Sequence, residues 1–246
     1  MRRILRYGFY IGLNVIALIG CRQEVESVDA GDDISEALKD RVVLEFSMSV
    51  NQSVYEHSDF GEPPQLAIWL EQPDSGRIRT VWVSHRTGKN QWKGKIECLT
   101  ALPYWKSRHE KEISSFRERS LLKRLIDALT GATPKGGFRA RIRVPRGSRW
   151  AYYIEVNVSG DFNVTFPSVL DDGTPDPDGN GQPSLIFKGE ITAKPNAMDI
   201  PKLIGRTDQW VPVDTIIHDL TGITTAKDIF YELEVFCYVR INMGHE

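Results

Sequence analysis

The chain has 246 residues, 26% of them charged, and a formal net charge of −2. That balance offers no basic surface for nucleic acid, and an apolar share of 41% is ample for one large core or two small ones. Six Trp, eight Tyr and ten Phe suit half-buried pleated surfaces and point to a β-rich body.

In chain order, the first element is a leader. "MRRILRYGFYIGLNVIALIGC" has a basic head (Arg2, Arg3, Arg6) and an apolar run from Tyr7 to Ile19. That run is short for a bilayer span and has the layout of a secretory signal. Its end, Leu18-Ile19-Gly20-Cys21, resembles the lipobox of bacterial lipoproteins. The resemblance implies cleavage before Cys21, lipid on that cysteine, and a protein anchored on the outer face of a membrane, periplasmic side or cell surface. The leader takes three arginines and no acids with it, so 28 basic against 33 acidic side chains leave the mature chain at −5. Charge does not attract such a chain to anionic lipid, so the anchor has to be covalent.

Residues 1–20 are thus read as signal peptide, 21–40 as an acidic tether poor in bulky apolar groups, and 41–246 as the folded domain. "RVVLEFSMSV" opens the domain with a period of two, Val43, Glu45, Ser47 and Ser49 interleaving with Val42, Leu44, Phe46, Met48 and Val50. "PQLAIWLE" and "RIRTVWVSH", joined by "QPDSG", form an expected hairpin. "FRARIRV", "AYYIEVNVS", "PSLIFKGEI" and "YELEVFCYVRIN" are further strand candidates. One segment breaks the pattern. In "RHEKEISSFRERSLLKRLIDALTG" apolar residues recur at three or four, which predicts a helix over about 108–130, closed by Gly131 as a left-handed terminator with Pro134 beyond it. Strands with turn spacing and one helix point to an immunoglobulin-like β-sandwich with one helical insertion.

The helix runs into Asp127-Ala128-Leu129-Thr130-Gly131-Ala132-Thr133. A helix terminus accounts for Gly131 and Pro134 but not for the threonines or the aspartate. The stretch resembles the flavinylation motif Asp-x-x-Ser/Thr-Gly-Ala-Thr of FMN-binding domains in membrane redox complexes such as the ion-pumping NADH–quinone reductases. In those proteins a flavin transferase moves FMN from FAD to the last threonine. The resemblance implies covalent FMN on Thr133, with Asp127, Thr130, Gly131 and Ala132 as the surrounding motif. The chemistry suits the residue types. A phosphoester needs a hydroxyl, small neighbours admit a transferase, and backbone N–H groups of a tight turn can cradle phosphate. Asp127 would position the hydroxyl or the transferase's metal.

A wider stretch, "PQLAIWLEQPDSGRIRTVWVSH", "LPYWKSR" and "IDALTGATPKGGF", resembles the predicted periplasmic family known as domain of unknown function 2271. The resemblance spans roughly residues 40–192 and is most specific over 65–137. Members often occur beside flavin transferases and membrane redox proteins. Where that family has a small basic residue after its TGAT, this chain has Pro134 and then Lys135; the proline holds Thr133 extended.

Other candidates are weaker. Trp92, Tyr104 and Trp105 could stack on an isoalloxazine ring or simply cover the core. "PDPDGNGQ" spaces Asp176, Asp178 and Asn180 like the opening of a calcium loop, but Phe187 stands where the distal glutamate belongs; a solvated turn is the plainer reading, and no metal is expected. His85, Arg86 and His109 lack a nucleophile in elbow context, and His109 reads as part of a solvated helix face. Cys98 and Cys237 either pair or stay as buried thiols. The expectation is an extracytoplasmic lipoprotein that carries FMN on Thr133 and passes electrons between membrane redox partners, itself a substrate of the flavin transferase and not an enzyme. The alternative is a cofactor-free binding or scaffold lipoprotein.

Overall fold

Alternation decides which residues face inward, and the computed structural model, which describes residues 24–27, 40–94, 96–114 and 129–239, follows it. The leader, Cys21, residues 28–39, Asp127 with the rest of 115–128, and residues 240–246 lie outside the described residues. Among the described residues no helix is long and apolar enough to cross a membrane.

The elements are β1 (Glu24–Ser27), β2 (Arg41–Val50), α1 (Gln52–Glu56), β3 (Gln65–Glu71), β4 (Ile78–Ser84), α2 (His85–Gly88), α3 (Pro103–Ser114), β5 (Thr130–Gly131), β6 (Gly137–Pro145), β7 (Arg149–Asn157), β8 (Leu185–Thr192), β9 (Met198–Asp199), β10 (Lys202–Arg206) and β11 (Phe230–Tyr238). The chain is mainly β, arranged as two sheets. The first has the order β1-β6-β2-β11-β9 and the second β10-β8-β7-β3-β4-β5. Apolar side chains of both sheets, among them Leu44, Phe46 and Ile142 from the first and Ile68, Trp82 and Tyr152 from the second, share one core. Each large apolar side chain buried there stabilises the fold by about 1.5–3 kcal/mol.

The first sheet has a dry face and a charged one. In β6, Phe138, Ala140, Ile142 and Val144 are buried, and Arg139, Arg141 and Arg143 alternate with them. Opposite, Glu45 of β2 takes Arg141 at 2.7 Å and Arg139 at 3.4 Å. The stretch expected as a tether contributes β1, which lies parallel to β6 with Glu24 beside Arg139 and Glu26 beside Arg141.

The second sheet is covered on both faces. The expected hairpin is β3–β4, antiparallel, closed where Gln72 N–H donates to Arg77 O at 2.8 Å and Gly76 turns with φ +66°. Leu66, Ile68 and Leu70 of β3 face the shared core. Ala67 and Trp69 join Tyr153, Leu102, Tyr104 and Trp105 in a second cluster that α3 closes from outside.

The helix starts earlier than its periodicity predicts, at Pro103 instead of about 108. Proline suits the first helical position, where no N–H is needed. The next two amides donate to a carboxylate from another element: Tyr104 N–H and Trp105 N–H reach Glu155 of β7 at 3.3 and 2.6 Å. A buried acid on a strand therefore satisfies the positive end of the helix.

Candidate functional site

The motif is strand where the sequence predicts a helix end. Leu129 is helical, but Thr130 and Gly131 pair in parallel with Val83 and Ser84 at the open edge of β4. Gly131 is not left-handed, since it is absent from the positive-φ glycines. Its requirement is space. A Cβ there would stand 2.7 Å from Nε1 of Trp82 and 3.2 Å from Cε2. On the other side, a Cβ on Gly88 of α2 would meet Thr130 Cγ2 at 2.6 Å. Two glycines thus let β5 fit between Trp82 and α2. Trp82 Nε1 and Thr130 Oγ1 are buried here with no hydrogen-bond partner.

Beyond β5 the chain surfaces briefly. Ala132 is exposed, Thr133 partly exposed, and Pro134 buried. Lys135 O accepts the Tyr55 hydroxyl at 3.4 Å, and Gly136 O accepts Val50 N–H at 3.1 Å. Thr133 therefore lies on a short bridge, one end beside β4 and α2, the other against α1.

A cavity of about 580 Å³ opens where the continuations of these two elements meet. Asp59, Phe60 and Glu62 follow α1; Arg86 belongs to α2, and Trp92 and Ile96 follow it. Ser159 and Asp178 close it from the connection between β7 and β8. Arg86 Nη1 donates to Glu62 Oε2 at 2.7 Å, and its guanidinium lies 5.9 Å from the Trp92 ring centroid. Trp92 Nε1 donates at 2.9 Å to Oδ1 of Asn90, whose backbone is held at φ +49°. Phe60 rests on two left-handed glycines; a Cβ on Gly160 or Gly179 would come within 2.8 or 2.9 Å of its ring.

Of the three aromatic candidates, only Trp92 lines this cavity. Tyr104 and Trp105 are 6% and 2% exposed, on the face of α3 that packs against the second sheet. The structure does not bring His85, Arg86 and His109 together: the first two follow the end of β4, while His109 stands over Thr80, near its start. Nor is His109 solvated. Its ring stacks on Trp105 at 4.9 Å and contacts the buried Glu112 carboxylate at 3.0 Å. Glu112 accepts both the N–H and the hydroxyl of Thr80, at 2.8 and 2.6 Å.

The acidic loop turns its oxygens inward on the protein. Asp176 accepts the backbone N–H groups of Asp178 and Asn180, each at 2.9 Å, and Asp178 accepts the Thr100 hydroxyl at 2.9 Å. Asn180 is buried between Asn157 and Gln209 O. Among the described residues no three His, Cys, Asp or Glu side chains are grouped to hold a metal. Cys98 and Cys237 are both free and buried, and burial pushes the Cys98 thiol up to about 12.

Two buried acids escape sequence reasoning. Glu155 also accepts the Ser184 hydroxyl at 2.6 Å, and burial raises its carboxyl to about 7. Asp161 accepts Gln182 N–H at 2.9 Å and the Thr225 hydroxyl, and burial raises it to about 7 as well. Only Glu155 leaves a trace in the sequence, as a charge inside the apolar run "AYYIEVNV". Comparison of the chain with protein-family models, curated proteins and solved structures gives no match to any of them.

Proposed function

We propose that this chain is an extracytoplasmic flavin carrier, lipid-anchored through Cys21, with FMN esterified to Thr133, whose two-sheet body is an immunoglobulin-like β-sandwich with one helical insertion. The observation that carries the reading is the placement of Thr133. Its side chain is partly exposed on a short bridge between buried flanks, Gly131 and Pro134; the ends of that bridge touch α2 and α1, and the continuations of those helices line a cavity of cofactor size. The residues fit the group: a reachable hydroxyl, a small exposed neighbour in Ala132, and no bulky side chain between β5 and Pro134.

In the attachment step, catalysed by a separate flavin transferase, the Thr133 oxygen bonds to the FMN phosphorus of FAD. The bond from that phosphorus to the bridging oxygen breaks, AMP leaves, and the hydroxyl proton is released. The bound flavin supplies one- and two-electron chemistry, and this chain supplies position and surroundings. Electrons would pass to and from membrane redox proteins. The contact between Gly131 and Trp82 also favours a second reading, a cofactor-free binding or scaffold lipoprotein, because packing alone already demands glycine at 131.

Intact mass after co-expression with a bacterial flavin transferase separates the two. The expected outcome is a gain of FMN less one water, absent from Thr133→Val. No gain, with the transferase active on a known substrate, selects the second reading.

A further inference from the structure

We propose that the cavity between α1, α2 and the β7–β8 connection is the seat of the isoalloxazine ring, with Trp92 and Phe60 as its aromatic walls and the Arg86–Glu62 ion pair at its rim. This rests on the covalent-flavin reading and assigns residues that the motif does not contain.

The cavity carries apolar surface that the fold itself leaves open. Phe60 is 45% exposed and Ile96 53%, and both line it. Side chains of that size uncovered side by side in a concave site are the usual mark of a ligand wall. The wall is also built to hold still. Phe60 cannot sink inward, because it already lies in van der Waals contact with the backbone of Gly160 and Gly179, both in the left-handed region. The Trp92 indole is tied to Asn90, and Arg86 is tied to Glu62. A planar ring entering such a site meets side chains whose positions are already fixed, so little ordering entropy opposes it.

Connectivity supplies the second argument. The Thr133 bridge leaves β4 and α2 at one end and joins α1 at the other, and the cavity is lined from the continuations of the same two helices. A cofactor esterified to Thr133 would be presented to this cavity intramolecularly. Tethering raises the effective concentration of the ring into the millimolar range, so a site too open to retain free flavin suffices. The lining sets Asp59, Glu62 and Asp178 against Arg86, and Arg86 is already paired with Glu62. The site thus opposes the charge a ring gains on reduction and holds its potential low, the kind of contact by which a protein tunes a flavin.

The test uses the full mature chain loaded with FMN by a transferase. Intact mass reports loading, and flavin fluorescence is expressed per attached flavin, before and after proteolysis to the flavinyl peptide. The expected result is strong quenching in the folded wild type, relieved by proteolysis and relieved several-fold by Trp92→Leu, a partly exposed position at which folding is retained. Arg86→Gln is expected to shift the flavin absorption bands and lower the reduction potential without releasing the flavin. A loaded wild type as fluorescent as its own peptide, or fluorescence unchanged by Trp92→Leu, overturns the ring seat while leaving attachment intact. A wild type that gains no mass beside an active transferase overturns both.

Discussion

The outer faces of the two sheets were made from similar strands and came to opposite ends. On the first sheet the outward positions of β6 are arginines that keep part of their surface in water, and they fold over Glu45, which is buried beneath them. On the second, the outward positions of β3 and β7 include Trp69 and Tyr153, whose rings stack at 5.2 Å with an interplanar angle of 8°, and α3 lies over them. A covered face stabilises by burial but must pair every polar group it traps. Glu155 and the set Thr80, Glu112, His109 and Trp105 are those pairings. The open face has one such obligation, Glu45, which Arg139, Arg141 and the Tyr238 hydroxyl meet; its partly exposed arginines keep water as a partner.

That contrast can be broken most severely at Glu155. Glu155→Ala removes the acceptor for two helix amides and for Ser184, and is expected to cost about 3 kcal/mol in denaturant unfolding. Glu155→Gln keeps part of the bonding but abolishes a titration. Because burial raises the native carboxyl to about 7 from its ordinary 4.5, the folded chain holds a proton that the unfolded chain releases. This group's contribution is therefore complete below pH 4.5 and is lost as pH rises towards and through 7. The wild type should lose stability across that window, and Glu155→Gln should lose less; Asp161, raised for the same reason, retains its share. Equal slopes in the two proteins would refute the assignment.

Gly131→Ala should have an intermediate effect. The added methyl meets the Trp82 indole at 2.7 Å, so about 2 kcal/mol of overpacking is expected, read as a lowered urea midpoint with an unchanged slope. The smallest effect belongs to the open face. Arg139→Ala, which removes the more exposed of the two arginine partners of Glu45, should cost about 1 kcal/mol or less, and the loss should shrink further in high salt. A cost rivalling that of Glu155→Ala would mean that the two faces are not different in kind.

Much of this body is legible in the sequence where the pattern is local. β6 alternates as its residues predict and β2 does so from Phe46 onward, while Val43 and Glu45 are buried with their neighbours; the β3–β4 hairpin closes over the turn "QPDSG". What is illegible is non-local. The helix begins at Pro103 because Glu155, some fifty residues later, receives its amides. His109 looks like a surface residue until Trp105 and Glu112 are placed around it. Gly131 follows the rule for a helix terminator, yet its reason is an indole from β4. The cavity is assembled from four stretches between residues 59 and 178, and no spacing rule joins them. Thr133 is visible as a motif; Phe60, Arg86 and Trp92 of the cavity are visible only as scattered side chains.

The parallel pairing of β1 has a geometric consequence of its own. β1 starts beside Arg139, at the beginning of β6, and runs the same way. The chain thus enters the sheet at the pole from which residues 132–136 emerge, not at the far one. Any surface that grips the polypeptide just upstream of Glu24 holds the domain by the pole that carries Thr133.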